Sequence, residues 1–281
     1  MESATETAAT TAKNLGDKAA HAAKNIAKVT KNAFSPIQAS YSTMPGMIWN
    51  AHSLLTKALD SGTNGISAGL FSKDLRGVMM LTNFQAGFIW AGNVGSGILL
   101  KKKEGVNEWS APCAMGLAGP SFGFLAGASY KDVMVFIYDS DTMTALAGEV
   151  GARGGGLIEL TVGSFGRNAS VDANLSNRGA GSTVSVAFTK GLFGCLGVDF
   201  GAAMPRNSVN TQFYEKDISA TQILNGGEGV AIPEGSDTLI DLVYEKLGML
   251  TEGKTYEPGV EEQERVQLAL VKANSEDNEQ K

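Results

Sequence analysis

The sequence predicts an α+β fold: an antiparallel β-rich domain (twisted sheet, sandwich or barrel-like) with flanking N- and C-terminal helices. Three observations predict it. Glycine supplies 35 of 281 residues, well above the roughly 7% usual in proteins, and is interleaved with Val, Ile, Leu and Phe rather than pooled in linkers. Short alternating apolar runs recur between 98 and 200, the period of half-buried strands. Helical spacing of apolar residues is clearest on either side of that region.

In chain order, 1–10 is Ala/Thr/Glu-rich and carries no pattern. From Thr11 to Phe34 an amphipathic helix is expected. Leu15, Ala19, Ala22, Ile26, Val29 and Ala33 fall on one face, and Lys13, Lys24, Lys28 and Lys31 lie almost opposite. Ser35-Pro36 ends it. A second helix is expected over Met47–Leu59, stopped by Asp60-Ser61-Gly62, and a third, short one over Ile66–Leu75.

The 23 residues Val78–Leu100 carry no charge and precede Lys101-Lys102-Lys103, which has the outline of a membrane span with a basic anchor. Asn83, Gln85, Asn93 and four glycines argue against a helix here. Two strands joined by a Gly-rich turn are expected instead. Ile98–Lys103 and Glu108–Ala111 then flank a hairpin turn at 104–107. Val133–Tyr138 reads as a buried strand and Thr142–Ala147 as a short helix. Leu157–Val162, Ala169–Leu175, Val184–Thr189 and Leu196–Phe200 read as strands. Ser219–Asn225 is a helical turn, Asp237–Leu247 a final amphipathic helix, and Val260–Ala273 a surface helix.

The charge distribution divides the chain. The net charge is −6, but 1–34 nets +2 and 252–281 nets −4. The organisation expected is a basic helix at 1–34, a folded domain at 35–251 and an acidic tail at 252–281. An acidic body excludes nonspecific nucleic-acid binding, which needs a basic surface. Cys113 and Cys195 lie far apart in apolar runs, as buried thiols of a reducing compartment do. Met1–Asn14 lacks the apolar core of a secretory signal, so a cytoplasmic protein is expected.

Reactive constellations are scarce. His21 and His52 sit in helical segments without Cys or His at ligand spacing, and are read as surface or half-buried residues. Cys113 lacks a histidine partner in sequence. Gly92–Gly97 is not a dinucleotide fingerprint, and no phosphate loop occurs. Asp139-Ser140-Asp141 resembles the start of a calcium loop but lacks its glycine and closing glutamate, and a capped helix start is the simpler reading. No catalytic residue, metal or cofactor is expected.

Lysine clusters remain. Lys101, Lys102 and Lys103 sit at the expected hairpin tip. They read either as a solvated edge that deters strand pairing or, with the basic helix, as a site for anionic membranes.

One ordered set of motifs is more specific. Gly95-Ser96-Gly97, Trp109-Ser110-Ala111-Pro112, Gly163-Ser164-Phe165-Gly166-Arg167, Lys190-Gly191-Leu192-Phe193 and Phe213-Tyr214 follow one another. In this order they resemble the SYLF domain over roughly 45–250. Ser164-Phe165 stands where the family has Pro-Leu, and Glu215 where it usually has Gly. The resemblance implies a noncatalytic domain that binds phosphoinositide-containing membranes and, in some members, actin filaments. It would place lipid contact on Lys13, Lys24, Lys28 and Lys31 by position. Trp109, Phe193 and Tyr214 would be core or turn-locking residues, and Arg167 an anion contact or an internal salt bridge. The expected protein is thus a cytoplasmic adaptor, peripheral on membranes, with anionic lipids and actin filaments as partners. Alternatives are a β-rich carrier of a small apolar ligand or a calcium-dependent binding module.

Overall fold

The computed structural model describes residues 41–59, 68–71, 74–106, 108–148, 158–159, 162–163, 183–190, 197–199, 202–227, 230–234, 236–254, 263, 265–269 and 271. The segments expected as a basic helix at 11–34 and a strand at 169–175 lie outside them. The fold is α+β, an open antiparallel sheet with helices packed on it.

Helix α1 spans Met44–Leu59, three residues longer at its start than the sequence suggested. Pro45 sits in the first turn, where the missing N–H costs nothing, and the Thr43 carbonyl accepts from Met47 N at 3.0 Å. Met44, Met47, Ile48, Leu54, Leu55 and Leu59 are all buried, each contributing on the order of 1.5–3 kcal/mol. His52 corrects the reading of a surface or half-buried residue. It is 5% exposed and stacks on Trp49, one turn earlier, with ring centroids 5.3 Å apart.

Of the expected third helix, Ile66–Leu75, the described residues hold a 3-10 turn, Ala68–Phe71. Phe71 meets the edge of Phe136 with centroids at 5.2 Å.

The largest correction concerns the uncharged run. It is one 25-residue strand, β1 (Gly77–Lys101), rather than two strands with a turn. No described helix is long and apolar enough to cross a membrane. β1 pairs antiparallel with an equally long β2 (Cys113–Ile137), from Gly77 opposite Ile137 to Leu99 opposite Cys113, with a register shift between Phe88 and Trp90.

A straight strand of that length would extend roughly 80 Å, against a radius of gyration of about 17 Å for a domain of this size. The ribbon therefore doubles over. A Cβ on Gly97 would lie 1.9 Å from the Met80 carbonyl oxygen, and one on Gly77 2.9 Å from that of Leu100. Both pairs are centred on Phe88–Ile89, where the register shifts. Glycine in β1 thus permits close backbone approach inside a strand, rather than a turn.

The other edge of β2 carries three short strands end to end. β5 (Thr183–Lys190) pairs with Tyr130–Ile137, β6 (Gly197–Asp199) with Ser121–Gly123, and β7 (Ala202–Pro205) with Met115–Ala118. β3 (Ile158–Glu159) lies on β7, and β4 (Val162–Gly163) on β6. Seven strands therefore occupy four lanes: β1, then β2, then β5–β7, then β3–β4.

Helix α2 (Ser140–Leu146) follows β2. The Asp139 carboxylate caps it, accepting from Thr142 N and Thr142 Oγ1, both at 2.8 Å. Those hydrogen bonds, chiefly the backbone one, hold the carboxyl below its usual range. The capped-start reading of Asp139-Ser140-Asp141 fits this geometry.

α3 (Asn207–Tyr214), α4 (Ala220–Asn225) and α5 (Asp237–Glu252) close the domain. α4 opens with a capping box between Ser219 and Gln222. α5 buries Leu239, Ile240, Val243 and Leu247 and packs on α1. Beyond it, 265–269 is helical, with Ala269 buried and Arg265 paired to Glu245 at 2.8 Å.

Candidate functional site

The turn after β1 is a hairpin, as expected. Ser110 N donates to Lys101 O at 2.8 Å, Lys103 N donates to Glu108 O at 2.9 Å, and Gly105 takes the left-handed conformation (φ 77°) that a tight turn requires. The structure separates its three lysines by role. Lys101 Nζ donates to Asn225 Oδ1 at 2.5 Å, tying the strand end to α4. Lys103 Nζ lies 2.9 Å from Glu108 Oε2, both side chains more than half exposed. Lys102 bridges to Trp109 through its backbone, and its N–H donates to Arg76 O at 2.8 Å.

Arg76 is the site residue that the sequence reading missed. It stands just before β1, and only the doubled-over ribbon brings it to the turn. Its guanidinium contacts Glu104 Oε1 at 3.1 Å. Arg76, Lys102, Lys103, Glu104 and Val106 line a shallow basin of about 600 Å³ with Leu75. The ion pairs here are exposed, and such pairs are worth only about 0–1 kcal/mol. An incoming polyanion can displace them at little cost. Lys13, Lys24, Lys28, Lys31 and Arg167 lie outside the described residues.

Among the described motif residues, Ser110, Pro112 and Tyr214 serve as latches. Ser110 Oγ accepts from Lys101 N at 2.9 Å, Tyr244 OH donates to Ser110 O at 2.8 Å, and Tyr214 OH donates to Pro112 O at 2.7 Å. Trp109 and Tyr214 are both buried, as the resemblance implied. Trp-Ser-Ala-Pro is thus the knot where α3 and α5 are fastened to the ribbon. Burial raises both tyrosine hydroxyls above the ordinary phenol range, so they stay protonated as donors.

Cys113 is buried beside this knot. Asn210 Nδ2 donates to its sulfur at 3.5 Å, while Asn210 Oδ1 accepts from Ala114 N at 2.8 Å. Burial pushes the thiol up to about 12, which removes the thiolate a nucleophile needs. Among the described residues no group of three or more His, Cys, Asp or Glu could hold a metal ion.

A second concavity, about 700 Å³, opens on the sheet near the start of α1. Six of its lining residues sit at alternating strand positions and so share one face: Phe84, Val94 and Ser96 of β1, Gly116 and Ala118 of β2, and Met204 of β7, with Gly95, Leu117 and Pro205 beside them. The register sets Ser96, Gly116 and Met204 side by side, with Val94 beside Ala118. Small residues in the middle lane make the floor and larger ones in the flanking lanes make the walls. The trough is open-sided, unlike the enclosed pocket that a small-ligand carrier would have.

The described part is an α+β domain whose Trp-Ser-Ala-Pro and Phe-Tyr motifs make internal latches, with a basic turn and an apolar trough on its surface. Residues 118–246 match the family model Ysc84, described as "Las17-binding protein actin regulator". Protein YSC84 of Saccharomyces cerevisiae is 31% identical over 173 residues, 61% of this chain and 36% of that protein. SH3 domain-containing YSC84-like protein 1 of Bos taurus is 30% identical over 177 residues, 63% of this chain and 49% of that protein. LAS seventeen-binding protein 3 of S. cerevisiae is 30% identical over 155 residues, 55% of this chain and 33% of that protein. The model match, 129 of the 281 residues, and these relatives bear out the resemblance to the SYLF (Ysc84) domain family. The alignments span about a third to a half of the length of these curated relatives. No solved structure matches it.

Proposed function

We propose that this protein is a noncatalytic cytoplasmic adaptor of the actin machinery, peripheral on phosphoinositide-containing membranes. The observation that carries the reading is the exposed basic turn, where Arg76, Lys102 and Lys103 converge and where Arg76 and Lys103 make exposed ion pairs. Each cation near an anionic surface contributes about 1 kcal/mol. The basic segment 1–34, with Lys13, Lys24, Lys28 and Lys31, adds to this attraction, and Arg167 supplies a further anion contact. In this organisation 35–251 is the SYLF domain and 252–281 an acidic tail. The actin side rests on the family description and on relatives named for Las17 binding.

Sedimentation with vesicles, with and without phosphoinositide, tests the membrane half, and co-sedimentation with actin filaments tests the other. Binding should weaken roughly 10-fold or more on K102E/K103E, and should fall with added salt as exposed electrostatics do. Deleting 1–34 should weaken it further. Equal pelleting of wild type with and without anionic vesicles at low salt removes the membrane role. Absence of filament pelleting removes direct actin binding.

A further inference from the structure

The apolar trough is separate from the basic turn, and the lysine-based reading leaves it unused. Four of the exposed large hydrophobics among the described residues gather on it: Tyr41, Phe84, Val94 and Met204. Two of them, Val94 at 65% and Met204 at 51%, are more than half exposed. Exposed clusters of this kind mark interaction sites rather than ordinary surface. The volume falls in the range of small-ligand sites, roughly 300–1,000 Å³.

One end of the trough is charged. Arg206 directly follows β7, and its stem lies over Gly116, whose added Cβ would be 3.3 Å from Arg206 Cγ. Its guanidinium reaches the Tyr41 carbonyl at 3.3 Å, and the same carbonyl accepts from Ser96 Oγ. Arg206 is the one charged residue of the described lining, and no Asp or Glu shares it. Arg206 also precedes α3, and Tyr41 and Ser42 precede α1; neither helix carries an acid in its first turn. The partial positive ends of both helices therefore add to the arginine's field. The site has apolar walls, a floor of Gly116 and Ala118, and one cationic end.

We propose that the trough seats one acyl chain of an anionic membrane lipid, with the head group against Arg206 and the chain along Phe84, Val94 and Met204. The complementarity is to an amphiphile with a single negative end, since the walls offer few polar partners to a peptide backbone. This rests on the membrane reading above and adds to it a lipid that inserts, in place of a surface that is only attracted. Binding would then keep a salt-resistant component that the lysine turn alone does not supply.

The test uses the full chain carrying Val94→Trp, a change at an exposed wall position, and vesicles of neutral or anionic lipid brominated along the acyl chain. Anionic brominated vesicles should quench and blue-shift the new tryptophan's contribution, measured against the wild-type chain. The effect should fall several-fold in Arg206→Gln and in Met204→Glu, which places an acid in the trough. Urea midpoints of the variants, compared with wild type, show that folding is retained. If the chain pellets with vesicles but residue 94 is not quenched, or both variants bind as wild type does, the trough proposal is overturned while the basic-turn reading stands. If the chain does not pellet with vesicles at all, both fail together. A concentration-dependent dimer that Met204→Glu abolishes without lipid would show that a second copy occupies the trough, and also overturns it.

Discussion

The hydroxyl of Tyr214 donates to the carbonyl of Pro112 at 2.7 Å across a sequence separation of about 100 residues. Both belong to motifs that are unremarkable singly, and the hydrogen bond joins those motifs in the fold. A hydroxyl on α3 satisfies a carbonyl that the proline-bearing strand entry leaves in an apolar setting. Tyr214→Phe should therefore destabilise the domain by about 1–2 kcal/mol, the cost of orphaning a buried acceptor. Urea unfolding reads this directly, and an unchanged midpoint would mean that the latch is decorative.

Glu215 is the described non-glycine residue with a positive φ, 51°, at the C-terminal end of α3. The family usually has glycine there, and the left-handed conformation explains the preference. A left-handed L-residue costs about 1–2 kcal/mol, partly offset by the extra chain entropy that glycine loses on folding. E215G should raise stability by up to about 1 kcal/mol. A lower urea midpoint for E215G would contradict this account.

Two glycine substitutions separate steric from torsional cost. Gly97→Ala drives a methyl into the Met80 carbonyl at 1.9 Å and should cost at least about 3 kcal/mol, or prevent folding. Gly105→Ala meets open space but must hold φ at 77°, costing about 1–2 kcal/mol. Thermal melts of the pair should keep this order, and a reversed order would discount the doubled-over ribbon.

Asp139 gives a pH-dependent prediction. Its carboxyl is held low by accepting from Thr142, so its contribution is present above the ordinary carboxylate range near pH 4. It is lost as pH falls through the folded-state value. Asp139→Ala should cost about 1 kcal/mol at neutral pH, as cap removal does. The gap to wild type should narrow as pH falls below that range. A gap that stays constant across that window would mean that the cap acts without its charge.

Much of this was legible in the chain. α1 and α5 follow from apolar residues on one helical face, the 104–107 turn from its glycine between strand-like flanks, and α2 from its capping aspartate. Other parts were not. β1 reads as two strands because glycine normally interrupts pairing, and only the contact of Gly97 with the Met80 backbone shows why it does not here. α3 escapes notice because a buried polar residue, Asn210, occupies its inner face to serve Ala114 and Cys113. His52 misleads in the same way, since its burial depends on stacking with Trp49. Lys101–Lys103 are visible as a local cluster, whereas Arg76 joins them through tertiary structure alone. The trough needs three lanes in register before its floor of small residues exists.

The long β1–β2 ribbon also sets an order of assembly. Its turn lies at the middle of its own two strands, so it can zip from 104–107 outward as soon as Ile137 has been synthesised. The strands that cover β2's other edge, β5, β6 and β7, and the tyrosine that fastens α3 are made later. During that interval a nascent chain presents a long unpaired edge whose only charged residues are Lys131 and Asp132, the kind of surface that recruits other strands. The fold's stability at the end of synthesis therefore comes with an early vulnerability. Chaperone dependence should be greatest for chains halted between Ile137 and Thr183.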